Sequence, residues 1–274
     1  MQFLSVKPKK IDLKELRNRS AGEGDCSELI KEDTVVTQDG VPIIVYLKQP
    51  SKETKVLLET LEKIKYDNST RTNGLVTASK IFGYAPRNMI RNLSCRAASL
   101  ARSQPKENDV LKRFACIAEE QYERVNKQLH ERHSAMTREN VKENYRMNGS
   151  MFTSGIVNHN NPLKYHYDTG NYVGVWSAMF AVKRDIKGGH LSVPELDMKF
   201  ECADGSLIMF DGQSLLHGVT PIIKLNADSV RYTVVFYSLK NMWSCETPHD
   251  EVEKMRASRS LIEKSKTTKE RQKK

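Results

Sequence analysis

The residues best suited to chemistry are an imidazole and a carboxylate two positions apart, His166 and Asp168 in Tyr165-His166-Tyr167-Asp168. On an extended chain, residues i and i+2 point to the same face, so one short segment can offer both groups to a single ion. A second imidazole, His217, stands further along in Leu216-His217-Gly218-Val219-Thr220-Pro221. Two histidines and one carboxylate on one side of a metal leave the opposite side open, the arrangement associated with non-heme Fe(II) oxygenases. The open positions suit a bidentate 2-oxoacid and O₂. An H-x-D triplet alone arises by chance, and a lone His217 would more often be a surface or satisfied core histidine. Their order and strand context favour iron, with a zinc or nickel site of cupin type as the alternative.

Downstream, Arg231 opens the apolar run Arg231-Tyr232-Thr233-Val234-Val235-Phe236-Tyr237. An Arg inside a strand pattern is costly to bury without an anion. Its planar fork matches a carboxylate held by two parallel hydrogen bonds. Thr233 falls on the same face and can add a hydroxyl to that carboxylate. The bland reading of Arg231 alone is a structural ion pair.

Around these residues the chain from 151 to 248 reads as short strands, with candidates at 152–157, 173–183, 190–193, 206–210 and 230–238. Turn signals separate them at Asn160-Asn161-Pro162, Lys187-Gly188-Gly189, Asp204-Gly205 and Asp211-Gly212. Many short strands with such turns predict an antiparallel sandwich or barrel. Residues 1–30 read as a basic, flexible arm. Residues 31–150 read as mainly helical, after a hairpin at Asp39-Gly40 in which Pro42 predicts an edge strand or a strand that begins after it. Helical spacing begins near Lys55 with Val56, Leu57, Leu61 and Ile64. A second helix is expected after Pro86, carrying Met89, Ile90, Leu93, Ala97 and Leu100. A third, from Asn108, presents Val110, Leu111, Phe114, Ile117, Ala118, Val125 and Leu129. Residues 249–274 read as a basic tail.

A net charge of +10 fits a polyanionic partner, although many basic proteins have none. No apolar run approaches the roughly 20 residues needed to span a bilayer. The lysines at 7, 9 and 10 interrupt the N-terminus too early for a secretory segment, so an intracellular, soluble protein is expected, cytoplasmic or nuclear. Cys26, Cys95, Cys116, Cys202 and Cys245 are widely spaced with no C-x-x-C pair, which argues against a disulfide framework and a structural zinc site.

The stretch from about 152 to 245 resembles the TET/JBP family of nucleic-acid pyrimidine oxygenases, particularly its compact phage-like members. The carrying residues are His166-Tyr167-Asp168-Thr169-Gly170-Asn171, Gly188-Gly189-His190-Leu191 with Pro194-Glu195, and His217-Gly218-Val219-Thr220-Pro221 followed by Arg231. Phe82-Gly83-Tyr84-Ala85-Pro86-Arg87 resembles the region upstream in the same group. The resemblance implies an α+β fold with a double-stranded β-helix (jelly-roll) core and an N-terminal helical elaboration. It implies Fe(II), 2-oxoglutarate and O₂ as cofactors, and oxidation of the 5-methyl group of thymine or 5-methylcytosine in DNA. His166, Asp168 and His217 match the family's iron ligands, Arg231 its oxoacid-binding Arg, and Thr233 a hydroxyl beside it. Asn171 falls where members contact the target base, against a bland reading as a turn residue after Gly170. Tyr237 could stack a flipped base or simply be a core residue. The cysteine-rich zinc segment of large animal members and a base-J-binding domain are not evident.

An iron deep in such a core cannot reach a stacked base, so the pyrimidine must be flipped out or single-stranded. Basic residues, including Lys264, Lys266, Lys269, Arg271, Lys273 and Lys274 of the tail, are candidates to grip the flanking phosphates. The rival readings are a same-fold oxygenase acting on a protein side chain or free nucleobase, and a nucleic-acid-binding module with a vestigial metal site. The sequence expects no membrane partner and leaves oligomeric state open.

Overall fold

The computed structural model describes residues 1–70, 76–88 and 93–271, the side chains of 67–70, 76–77, 259 and 261–271 excepted. Its centre is an antiparallel set of long strands in which Val230–Tyr237 pairs with Ser177–Arg184 on one side and Ser154–His159 on the other. The main sheet continues outward through Ser206–Phe210, Val41–Leu47, Thr34–Gln38 and Gln2–Ser5 on one side. On the other side it continues through Val76–Ala85 and Asp67–Thr70. A smaller sheet runs Gly218–Val219, Leu191–Val193, Met198–Phe200, Glu28–Ile30. The two sheets clasp one core, where Ile44, Tyr46, Ile208 and Phe210 meet Leu191, Val193 and Phe200. This is the jelly-roll, double-stranded β-helix type of packing, in an α+β chain.

Strand alternation decides which face does what. In Val230–Tyr237 the even positions Val234 and Phe236 enter a second core beneath the helices Thr54–Lys63 and Pro105–Val125. Leu57, Leu61, Leu111 and Phe114 supply the helical side of that core. The odd positions Arg231, Thr233, Val235 and Tyr237 face the other way, into the space beside the small sheet. Helices on one face therefore leave the opposite face for chemistry.

Several expectations need correction. Residues 1–30 are not a loose arm. Gln2–Ser5 pairs in parallel with Thr34–Gln38, Glu28–Ile30 pairs with Met198–Phe200, and Arg19 O accepts from Tyr165 N at 2.9 Å. The Tyr165 hydroxyl also donates to Asp25 at 3.0 Å, so the segment braces the stretch that carries His166. Val41–Leu47 is not an edge strand, since it lies between Thr34–Gln38 and Ser206–Phe210. Pro42 is tolerated because it sits at the bulge after Val36, beyond the stretch 44–47 that pairs with Ser206–Phe210.

The expected helix after Pro86 partly covers residues 89–92, which lie outside the described residues. Around them, Asn88 bridges Leu93 and Arg96–Ala97 pairs back onto Tyr84 and Ala85. Helix begins only at Ser99–Ser103. The third helix ends at Val125, and Asn126 caps a separate helix, Lys127–Asn140, by accepting from Leu129 N. The strand-rich part beginning near 151 is not separate in space, because Val76–Ala85 and Val41–Leu47 complete its main sheet.

Cys95 and Cys245 form a disulfide, contrary to expectation. A bond between residues 150 positions apart leaves no spacing signature. Next to it, buried Glu251 receives Arg87 and the backbone N–H of Cys95, fixing the start of the helix Pro248–Arg271. The basic tail residues Lys264, Lys266, Lys269 and Arg271 lie outside the described side chains, and Lys273 and Lys274 outside the described residues. Among the described residues no helix is long and apolar enough to cross a membrane.

Candidate active site

His166 and His217 are brought together by reciprocal backbone hydrogen bonds, N to O at 2.9 and 3.1 Å. This antiparallel bridge sets their rings side by side, 4.4 Å between centroids. Asp168 lies two residues past His166 on the same face, with its N–H on Gly212 O at 2.8 Å. The Nε2 atoms of both histidines are 3.8 Å from Asp168 Oδ1, and the three ligand atoms lie within 4.8 Å of one another.

The tautomers follow from the partners. His166 Nδ1 is 2.7 Å from Lys164 O, and His217 Nδ1 is 2.9 Å from Leu215 O. A backbone carbonyl only accepts, so each Nδ1 carries a proton, and in the neutral ring Nε2, the atom turned toward Asp168, is the one free to ligate. That donor set, two neutral imidazoles and a carboxylate, fits a divalent first-row metal. The backing is tight. A Cβ at Gly212 would lie 2.3 Å from Asp168 Oδ2 and 3.2 Å from His217 Cε1. Glu195 accepts from Leu216 N at 2.9 Å, steadying the strand before His217, which gives the Pro194-Glu195 motif a physical purpose.

Arg231 is 1% exposed, yet no carboxylate among the described residues pairs with it. Its Nη2 meets the Cys202 thiol at 3.4 Å, and its Nε–H has no partner. A buried guanidinium with an unsatisfied donor is expensive unless an anion completes it, so an oxoacid carboxylate fits here. Gly189 is shaped to this Arg. It has φ +67°, and a Cβ on it would sit 2.8 Å from Arg231 Cδ and Nε. Gly188, at φ +69°, passes 2.2 Å (by its would-be Cβ) from Pro221 O. The paired glycines thus let the turn press against both neighbours.

A cavity of about 310 Å³ has the His-Asp-His set, Thr233, Tyr237 and Asn171 among its walls. Arg231 lies behind Thr233, one same-face step beyond the lining. Asn171 is held at the wall by Ser177, Nδ2 to Oγ at 3.2 Å, and by an isolated bridge to Leu239. His166, Asp168, Asn171, His217, Thr233 and Tyr237 therefore share one cavity, while Arg231 stays outside its lining.

Sequence reading missed Asn158, Asn161 and Ser177, all buried on this cavity. Asn160-Asn161-Pro162 reads as a turn, and the strand before it runs two residues past the expected end at 157, to His159. Extending its alternation from Ile156 to Asn158 would have found the first of them.

Residues 80–240 match the Tet_JBP family, described as the oxygenase domain of the 2OGFeDO superfamily. This chain belongs to that family. Over 121 residues, 43% of the chain, it is 27% identical to the bifunctional helicase and thymine dioxygenase JBP2 of Leishmania infantum. It is 26% identical to that of Leishmania tarentolae over the same length. The match takes in only 11% of each, so the chain spans about a tenth of the length of these curated relatives. Among solved structures, NgTET1 in complex with 5mC DNA is similar in fold, with TM-score 0.59 and 15% identity over 82% of this chain and 86% of that one.

Proposed function

We propose that this Tet_JBP chain is an Fe(II)- and 2-oxoglutarate-dependent dioxygenase that hydroxylates the 5-methyl group of a pyrimidine in DNA. The observation that carries the reading is a facial His-Asp-His set on the wall of a cavity that Thr233 also lines, with a buried Arg231 whose Nε–H has no partner one same-face step beyond Thr233. Its relatives, one a thymine dioxygenase and one a protein seen bound to 5mC DNA, supply the base class.

In this reading His166, Asp168 and His217 hold the metal, and Arg231 with Thr233 takes the distal carboxylate of 2-oxoglutarate. Bound iron and oxoacid, with O₂, supply the oxidising power to break a methyl C–H bond. The chain supplies geometry and dryness. Ile156, Met179, Leu191 and Phe210 line the cavity with apolar surface and restrict water. Asn171 faces the edge of the target base and Tyr237 its ring. A recessed metal requires the nucleotide to be flipped or single-stranded, and the +10 charge favours grip on flanking phosphates. Succinate release tests this: it should rise on adding DNA that carries 5-methylpyrimidines and stay at background with DNA built from uracil and unmethylated cytosine. Equal release with both would remove the methyl group as target.

Two further outcomes follow from side chains around the cavity. Asn171→Ala should cut turnover on DNA about tenfold or more while leaving slow, DNA-independent 2-oxoglutarate decarboxylation near wild type, because one hydrogen bond to the base is lost and none to the oxoacid. Equal loss of both activities would reduce Asn171 to loop support. Gly189→Ala should weaken 2-oxoglutarate binding by about tenfold or more, since its Cβ displaces the Arg231 side chain. Gly40→Ala is the control, with φ +78° but open space around its Cβ, and should bind 2-oxoglutarate normally. Calorimetric titration without oxygen distinguishes them.

A further inference from the structure

Three buried polar side chains, Asn161, Asn158 and Thr233, form a chain of hydrogen bonds along the cavity wall. Its direction is set at the far end by backbone groups that cannot reverse their roles. Ala78 N–H donates to Asn161 Oδ1 at 3.1 Å, and Ala78 O accepts from Asn161 Nδ2 at 3.2 Å. The Asn161 amide therefore has one allowed orientation, where an isolated Asn could be flipped. Its Nδ2 also donates to Asn158 Oδ1 at 3.2 Å. That makes Asn158 Oδ1 an acceptor and turns Asn158 Nδ2 toward Thr233 Oγ1, at 3.4 Å. Thr233 Oγ1 is consequently an acceptor from Asn158, and its own proton is left to point elsewhere.

Thr233 shares its strand face with Arg231, which has donors only and an unsatisfied Nε–H. Thr233 therefore has a hydroxyl proton to offer the cavity it lines, with the donor-only Arg231 one same-face step beyond it. Such a seat favours an anion with several lone pairs and disfavours a neutral amide or alcohol.

We infer that Asn161 and Asn158 are positioning residues that polarise Thr233 into a donor for the distal carboxylate of the oxoacid. This rests on the proposed 2-oxoglutarate dependence and deepens it. It assigns to two asparagines on the Ser154–His159 strand and the turn after it a part in choosing a dicarboxylic 2-oxoacid over a monocarboxylic one. Asn161 ties that choice to Val76–Ala85, so the polarity of the seat depends on correct docking of a strand from outside the central set.

The test is a double-mutant cycle read as equilibrium binding of 2-oxoglutarate, by calorimetry on Fe(II)-loaded protein without oxygen. Thr233→Val should weaken binding about tenfold, and Asn158→Ala about fivefold in the wild-type background. In the Thr233→Val background, Asn158→Ala should change binding by less than about twofold, because its effect passes through the hydroxyl. Asn158→Asp keeps the volume but makes the side chain an acceptor, so it should weaken binding more than Asn158→Ala. Thr233→Ser should restore most of the affinity.

2-Oxopentanoate, which lacks the distal carboxylate, should bind Thr233→Val and wild type alike. Single-variant losses that multiply in the double variant would overturn the inference, as would an Asn158→Asp protein that binds like wild type. A loss of 2-oxopentanoate binding equal to that of 2-oxoglutarate would do the same. Wild-type protein that binds no 2-oxoglutarate would instead remove the proposed function beneath it. Thermal melting of each variant separates a lost ligand contact from lost fold.

Discussion

Asp168→Ala is expected to reduce methyl hydroxylation by about a thousandfold or more, since removing metal support costs several kcal/mol of barrier lowering. The variant should retain its fold, because the Asp168 backbone N–H to Gly212 O and the His166–His217 bridge do not involve the carboxylate. Iron binding should fall in parallel, with two imidazoles left where three ligands converged. His166→Ala should behave similarly. Rate against iron concentration, with melting as control, checks both. Undiminished turnover in Asp168→Ala at saturating iron and oxoacid would remove this residue from the metal set. Gly212→Ala offers a milder form of the same defect, because its Cβ meets Asp168 Oδ2 without deleting a ligand.

Arg231→Lys should weaken 2-oxoglutarate binding by about 10- to 100-fold, as one hydrogen bond to a charged group is worth about 1.5–3 kcal/mol. Lysine keeps the charge but loses the fork, and its ammonium cannot replace both the Nε and Nη donors. The defect should appear as a raised oxoacid requirement, with near-normal kcat once the oxoacid saturates. An unchanged oxoacid dependence would transfer the role to another cation. Arg231→Met is expected to be worse in binding yet no less stable, and more stable than wild type without oxoacid, because it removes a buried charge with no counter-ion.

The candidate metal set was legible in the sequence because two of its three parts are local. His166 and Asp168 sit one strand step apart, and Arg231 and Thr233 repeat that relation, so period-two alternation predicts which groups share a face. The jelly-roll core was legible for the same reason, through short alternating runs punctuated by Gly and Asp. What escaped was long-range. Asn158 and Asn161 acquire meaning only beside Ala78 and Thr233, which come from other strands. The ordering of residues 1–30 depends on docking against Tyr165 and Met198–Phe200, which a lysine-rich composition does not announce. The Cys95–Cys245 bond depends on Arg96–Ala97 pairing back onto Tyr84 and Ala85, which helical spacing concealed.

Oxygen insertion into a pyrimidine methyl group can be read by mass spectrometry of nucleosides. Purified protein, loaded with Fe(II) and given 2-oxoglutarate and ¹⁸O₂, should be incubated with DNA containing both thymine and 5-methylcytosine. The expected product is a 5-hydroxymethylpyrimidine nucleoside carrying ¹⁸O, formed in step with succinate and absent with Asp168→Ala protein. Protein that binds iron and 2-oxoglutarate and releases succinate, yet leaves both methylated bases unchanged in duplex and single-stranded DNA, would contradict it.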